Sequence, residues 1–218
     1  MRITHLGHAC VLLETGDTRL LIDPGSWSPG AQEQRDLDAV LVTHQHADHL
    51  DADRLPGLLA ANPRAQLVTD PDTADLLREK GIEASALTGG VRHEVGATTV
   101  TGVGQTHALI HEEIPRIHNT GMLVTADGEP TFFHPGDALD AEPGHVDVLA
   151  FPLNAPWQAS RDMTAFLRRL AAPHAIPVHD GLLNESGRQL YLTHAGNLGS
   201  KQTQIHDLGG GAPQEFRA

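Results

Sequence analysis

Near the start of the chain apolar and polar residues alternate over Arg2 to Leu6, and apolar residues gather again over Cys10 to Glu14 and Arg19 to Ile22. Runs of this length and type predict strands. Gly16-Asp17 marks a hairpin turn between the second and third, and Pro24 stops the third just after Asp23. A loop rich in Gly, Ser and Pro follows from Gly25 to Gly30. Ala39 to Val42 is apolar at every position, which predicts a strand buried on both faces. Helix and strand signals then alternate. Ala52 to Ala61 and Asp72 to Lys80 predict helices, the second beginning near Asp70 or Asp72 and ending at Gly81, with Gln66 to Thr69 as the strand between them. From Val91 two strands turn at Gly96, the second running from Thr98 to Val103. Thr120 to Thr125 and Thr131 to Phe133 predict a hairpin across Asp127-Gly128. Val146 to Phe151 reads as a buried strand, Arg161 to Leu170 as a helix and Ala175 to Val178 as a last short strand, with helix resuming around Leu190. Strands dominate, but helices recur between them in both halves. The expectation is an α/β chain whose sheets carry helices on their outer faces.

The length of 218 residues fits one domain spanning 1–218, with a loosely ordered tail from about residue 207, where Gly209-Gly210-Gly211 stands. Twenty-eight acidic against 15 basic residues give a net charge of −13. That balance argues against a nucleic-acid partner and leaves a small-molecule substrate as the expected one. No apolar run is long enough to cross a membrane. The first residues do not read as a signal peptide, and the single Cys10 allows no internal disulfide, so a cytoplasmic location is expected. Fifteen histidines in a chain with one Tyr and two Trp change this bland picture, because they call for a metal explanation.

The sharpest signal is His44-x-His46-x-Asp48-His49, directly after the buried strand. A loop leaving a strand end holds ligands on rigid backbone while facing a cleft. Three imidazoles and a carboxylate in six residues cannot all reach one ion from one side. Alternation sends His44 and His46 to one metal, Asp48 and His49 to a second.

This motif in this context resembles the metallo-β-lactamase superfamily. The resemblance spans nearly the whole chain: Leu21-Ile22-Asp23-Pro24, Thr43 to His49, Phe133-His134-Pro135-Gly136-Asp137 and Pro177-Val178-His179 each look like a superfamily segment. Leu6-Gly7-His8-Ala9-Cys10 is similar to the branch that includes the ascorbate-phosphate lactonases and other small hydrolases. The resemblance implies a four-layer αββα sandwich with a one- or two-metal site at one edge. It also implies a mid-chain histidine completing the first site, Asp137 bridging both ions, and His179 closing the second site beside Asp48 and His49. His107 is preferred to His111 as the mid-chain ligand because it lies directly past the strand from Thr98 to Val103. His111 and Arg116 are assigned to substrate, the guanidinium as a fork for a carboxylate or phosphate. Asp23 and His8 are placed behind the ligands, Trp157 is read as packing, and the remaining histidines as ordinary.

Two divalent ions sharing a water lower its pKa towards neutrality, and the resulting hydroxide attacks a carbonyl or phosphoryl centre. Asp48 is the candidate to orient that nucleophile, Asp137 to hold the pair of ions. The expected activity is a metal-dependent hydrolase of a small ester, lactone, amide or phosphodiester. Histidine and carboxylate ligands suit zinc best and also accept Mn, Fe or Ni. The competing readings are a thioester hydrolase resembling glyoxalase II, an RNA-processing nuclease, a di-iron redox site and a non-catalytic metal-binding domain. The 39 residues after His179 leave little room for the helical domain of the first, and the acidic charge disfavours the second.

Overall fold

The computed structural model describes residues 1–217. The first sheet opens with an antiparallel meander of β1 (Arg2–Gly7), β2 (Cys10–Thr15) and β3 (Thr18–Ile22). It continues in parallel through β4 (Ala39–Val42), β5 (Gln66–Thr69) and the two-residue β6 (Ser85–Ala86). The parallel steps need crossovers: the loop between β3 and β4 supplies the first, and α1 (Leu55–Ala61) and α2 (Pro71–Glu79) supply the other two. The second sheet mirrors this plan. Strands β7 (Arg92–Val95), β8 (Thr98–Val103), β9 (Gly121–Ala126) and β10 (Phe132–His134) are antiparallel. Next come β11 (Val148–Pro152), α3 (Ser160–Leu170), β12 (His174–Val178), α4 (Glu185–Leu198) and β13 (Gln204–Ile205), with β10 to β13 parallel.

Three apolar clusters define the layers. Ile3, Leu13, Ile22 and Leu41 from the first sheet meet Val100, Val124, Phe132 and Ile176 from the second, so the sheets pack face to face. Cys10, Leu21, Val40 and Val42 face the other way, onto Leu55 and Leu58 of α1 and Leu77 of α2. Phe133, Leu149 and Phe151 face Met163, Phe166 and Leu167 of α3 and Ala195 of α4. Alternation along β4 explains why all four of its residues are buried: Leu41 enters the central layer while Val40 and Val42 enter the outer one. The result is the αββα sandwich. Cys10 is buried in a strand, as expected, and burial pushes its thiol pKa up.

Two expectations need correction. Helix α1 begins at Leu55 rather than Ala52, because Asp51 to Arg54 form a turn closed by the Arg54 N–H on Asp51 Oδ1. The tail beyond 207 is docked, not loose. Leu208 and Phe216 are buried in the central layer, and Gln214–Glu215 forms β14 beside β1. The glycine run that suggested looseness is a turn. Gly211 takes φ +73° and donates to Leu208 O at 2.9 Å, which sends the chain back onto the first sheet. The His174 and His206 rings, 3.0 Å apart at Nδ1 and Nε2, both pack on Phe216. No helix among the described residues is long and apolar enough to cross a membrane.

Candidate metal centre

The C-terminal ends of β4, β8, β10 and β12 converge on one edge of the sandwich. His44, His46, Asp48 and His49 follow β4, His107 follows β8, Asp137 follows β10 and His179 follows β12. Potential ligand atoms fall into two groups, each within 4.8 Å: His44, His46, His107 and Asp137, and His8, Asp48, His49 and His179. All seven residues expected as ligands are therefore together. Asp137 stands between the groups, with Oδ1 3.1 Å from His49 Nε2 and Oδ2 3.3 Å from both His107 Nε2 and His179 Nε2. Among the described residues, His49 Nε2, His107 Nε2, His179 Nε2 and Asp137 Oδ1 are buried without a hydrogen-bond partner. Four orphaned polar atoms pointed at one spot would be costly, at about 1–3 kcal/mol each, unless a cation satisfies them. The donor set of imidazoles and carboxylates fits a divalent transition ion.

Hydrogen bonds on the far side of each ring assign its tautomer. His49 Nδ1–H donates to Asp23 Oδ2 at 2.7 Å, His107 Nδ1–H to Ala108 O at 2.6 Å and His179 Nδ1–H to Asn154 O at 2.7 Å. The Thr43 hydroxyl donates to Asp23 at 2.8 Å, so it accepts from His44 Nδ1 at 3.1 Å. In all four rings this leaves the Nε2 lone pair facing the centre. His46 presents Nδ1 instead, 3.1 Å from His44 Nε2.

His8 has the opposite assignment. Its Nδ1 accepts the Gly181 N–H at 3.0 Å, so the proton sits on Nε2 and is donated to Asp48 Oδ2 at 3.0 Å. A ring nitrogen that carries a proton has no lone pair for an ion, so His8 orients Asp48 rather than joining it. His134 is satisfied in the same way, donating to Ala9 O and accepting from the Gly136 N–H. Asp23 is fully buried behind the ligand loop and accepts from the Thr43 N–H, the Thr43 hydroxyl and His49.

The carboxylates draw positive charge to this edge. Burial opposes ionisation of Asp137, but His49 and His179 outweigh it and hold the carboxyl well below its usual range. Burial likewise opposes charging His49, and Asp137 and Asp23 overcome it, raising that imidazole well above its ordinary value. His179 is raised to about 9, Asp137 again prevailing over burial. For His44 burial prevails and the ring is held well below its ordinary value. A metal cation at this edge would neutralise the same carboxylates.

Backbone strain gathers here. His8, Asp23 and His179 adopt φ of 49°, 50° and 57°, values uncommon outside glycine. Gly25 is required by a close approach, since a Cβ there would lie 1.8 Å from Asp48 O.

Other expectations fare differently. His111 lies exposed on the loop after His107, its Nδ1 accepting the Glu113 N–H, and belongs to neither group. Arg116 is anchored on the backbone. Its Nε and Nη2 donate to His107 O at 2.9 and 2.6 Å. Trp157 is more than packing, because its indole N–H donates to Asp137 Oδ2 at 2.9 Å. Asn119 was not foreseen: its Oδ1 accepts the Asp137 N–H and its Nδ2 donates to Pro135 O, fixing the turn that presents Asp137. An isolated Asn between strands gives no periodic or motif signal.

Residues 2–179 match the family described as Beta-lactamase superfamily domain. Protein Rv0786c of Mycobacterium tuberculosis is 43% identical over 206 residues, covering 94% of this chain and 96% of that protein. A UPF0173 metal-dependent hydrolase of Methanospirillum hungatei is 32% identical over 196 residues, 82% of each chain. Among solved structures, the isothiocyanate hydrolase from Delia radicum gut bacteria superposes with a TM-score of 0.74 at 17% identity over 100% of both chains. The metallo-beta-lactamase fold protein YhfI from Bacillus subtilis gives 0.72 at 19% identity over 99% of this chain and 98% of its own. At such identities these two bear on the fold, and it is the sandwich described above. With the family match covering most of the chain and the sequence relatives aligning over most of their length, the chain belongs to the beta-lactamase superfamily, among the UPF0173 metal-dependent hydrolases.

Proposed function

We propose that the chain is a hydrolase that works with two divalent ions, zinc in the first instance, and cleaves a small ester, lactone, amide or phosphodiester. The observation that carries this reading is the set of buried, unpartnered atoms on His49, His107, His179 and Asp137, together with ring tautomers that leave lone pairs facing them. His44, His46 and His107 would hold one ion, Asp48, His49 and His179 the other, and Asp137 both. Such a pair supplies an activated water and an electrophile for the substrate oxygen.

The chain's own residues set the stage for that chemistry. His8 donates to Asp48 Oδ2 and fixes the carboxylate that would orient the nucleophile. Burial opposes ionisation of Asp48, but His179 and His8 hold it well below the usual carboxylate range, so it is charged throughout the neutral range. The Trp157 N–H pins Asp137 Oδ2 from the cleft side. Thr43 and Asp23 hold His44 and His49 from behind, so neither ring needs to reorganise on binding. Ser160, Ser186 and Cys10 have no part in this scheme.

The test combines element analysis with a screen of lactones, esters, amides and phosphodiesters on the same zinc- or manganese-loaded sample. The expectation is two ions per chain, one for each ligand group, and turnover of at least one substrate class. Asp137→Asn should lose at least one ion and orders of magnitude in turnover while remaining folded. A wild-type chain that stays empty after loading would overturn the metal reading, and an Asp137→Asn chain with both ions and full turnover would overturn the bridge.

A further inference from the structure

A slot with a volume of about 460 Å³ opens beside the centre. Its inner end is marked by Trp157, whose indole touches Asp137. Leu109, Leu139 and Phe166 give it apolar walls, the first on the loop after His107, the second two residues past Asp137 and the third on α3. Two guanidiniums complete the lining. Arg116 donates twice to His107 O, while Arg169 donates to Ala141 O and Leu139 O and lies 5.4 Å over the Phe166 ring.

Backbone carbonyls thus hold both forks in place without neutralising them, and among the described residues neither arginine forms an ion pair with a carboxylate. In a chain with a net charge of −13, two guanidiniums anchored by backbone carbonyls on one largely apolar slot are a directed feature. Two acids also reach the lining. Asp162 is spent on the Ala159 N–H and on Arg161, and Asp140 sits exposed at the rim.

We propose that this slot selects the substrate: an amphipathic anion whose reacting centre lies at the metal centre, whose alkyl or aryl body lies between Trp157 and Phe166, and whose negative group is read by Arg116 and Arg169. The proposal rests on the hydrolase reading for the reacting end and on the slot alone for the rest of the molecule. Apolar contact sets affinity through chain length, and the pinned guanidiniums set the sign of the charge accepted.

The test uses the metal-loaded protein and two probes of one shape and opposite charge, octane-1-sulfonate and octyltrimethylammonium, titrated calorimetrically. Sulfonates are weak metal ligands, so the slot rather than the ions is read. The sulfonate should bind at least tenfold more tightly than the ammonium. Its affinity should rise about fourfold for each methylene from butane to octane sulfonate, the ratio that about 0.8 kcal/mol per buried methylene sets. Ala165 lines the slot from the exposed side of α3, so Ala165→Trp fills it without touching the core and should weaken the sulfonate at least tenfold. Arg116→Met with Arg169→Met should abolish the charge preference while keeping the chain-length dependence. Equal binding of both probes, a flat chain-length series or an unaffected Ala165→Trp variant would each overturn the proposal. Metal content measured on every sample separates the two readings: loss of metal with intact slot binding counts against the hydrolase, and full metal with no slot binding counts against this inference.

Discussion

Replacing Asp23 by Asn should reverse a ring without moving it. Asp23 accepts three hydrogen bonds at 2.7–2.8 Å, from the Thr43 N–H to Oδ1 and from the Thr43 hydroxyl and His49 Nδ1 to Oδ2. Asn keeps the shape and one acceptor, and Oδ1 continues to serve the backbone amide. Its NH2 group then faces two donors. The hydroxyl can rotate, but His49 can adapt only by moving its proton to Nε2, the atom aimed at the ion. Outer partners of this kind typically carry 10–100-fold in metal affinity, about 1.4–2.7 kcal/mol. Two charge-assisted hydrogen bonds are lost as well, at about 1.5–3 kcal/mol each, so the ion-free variant should be destabilised by about 3 kcal/mol or more. Zinc competition against a chromogenic chelator reads the first quantity and urea unfolding in EDTA the second. Ring ¹⁵N shifts of His49 report the tautomer directly. An Asp23→Asn chain with wild-type zinc affinity and the proton still on Nδ1 would refute this chain of reasoning.

Further substitutions probe other parts of the structure. His107→Ala should leave no more than one tightly bound ion, whereas His111→Ala, at an exposed position outside both ligand groups, should retain the full complement by element analysis; the opposite pattern would put the loop into the first coordination sphere. Asp70 caps α2, but burial raises its carboxyl to about 6. A raised carboxyl favours the fold only while protonated, so this contribution is present below the unfolded value near 3.8 and is lost as pH rises through about 6. Asn caps equally well and carries no charge. Asp70→Asn should therefore exceed wild type by about 1–3 kcal/mol in urea unfolding at pH 7.5, with the gap closing by pH 4; a gap independent of pH would show that the charge is not the cause.

Legibility in the sequence tracked locality. The strand Ala39 to Val42 and the loop from Thr43 to His49 are contiguous, so apolar run and ligand spacing could be read together. His107, Asp137 and His179 were reachable because each follows directly on a strand or its turn. What escaped is carried by pairs far apart in the chain, or by backbone atoms that have no letter of their own. The Gly181 N–H sets the His8 tautomer from 173 residues away, and the Ala108 and Asn154 carbonyls set those of His107 and His179. Trp157 looked like packing because an indole serves a core and a carboxylate equally well until the turn after β11 is seen to aim it at Asp137. The docked tail was missed because two-residue strands are too short to show any periodicity.

The layered architecture has a mechanical consequence at the metal edge. The proposed ligands are drawn from both sheets: the loop after β4 belongs to the first, while His107, Asp137 and His179 hang from the second. At this edge the protein's own bonds between the sheets include the Thr120 N–H on Thr43 O, the His179 N–H on His8 O and the His134 ring on Ala9 O. Bound ions would therefore act as a clasp between two leaves of a book whose spine is the apolar layer between the sheets. Filling the clasp would tighten a boundary rather than build a core, and emptying it would let the leaves part at the fore-edge while the spine stays shut.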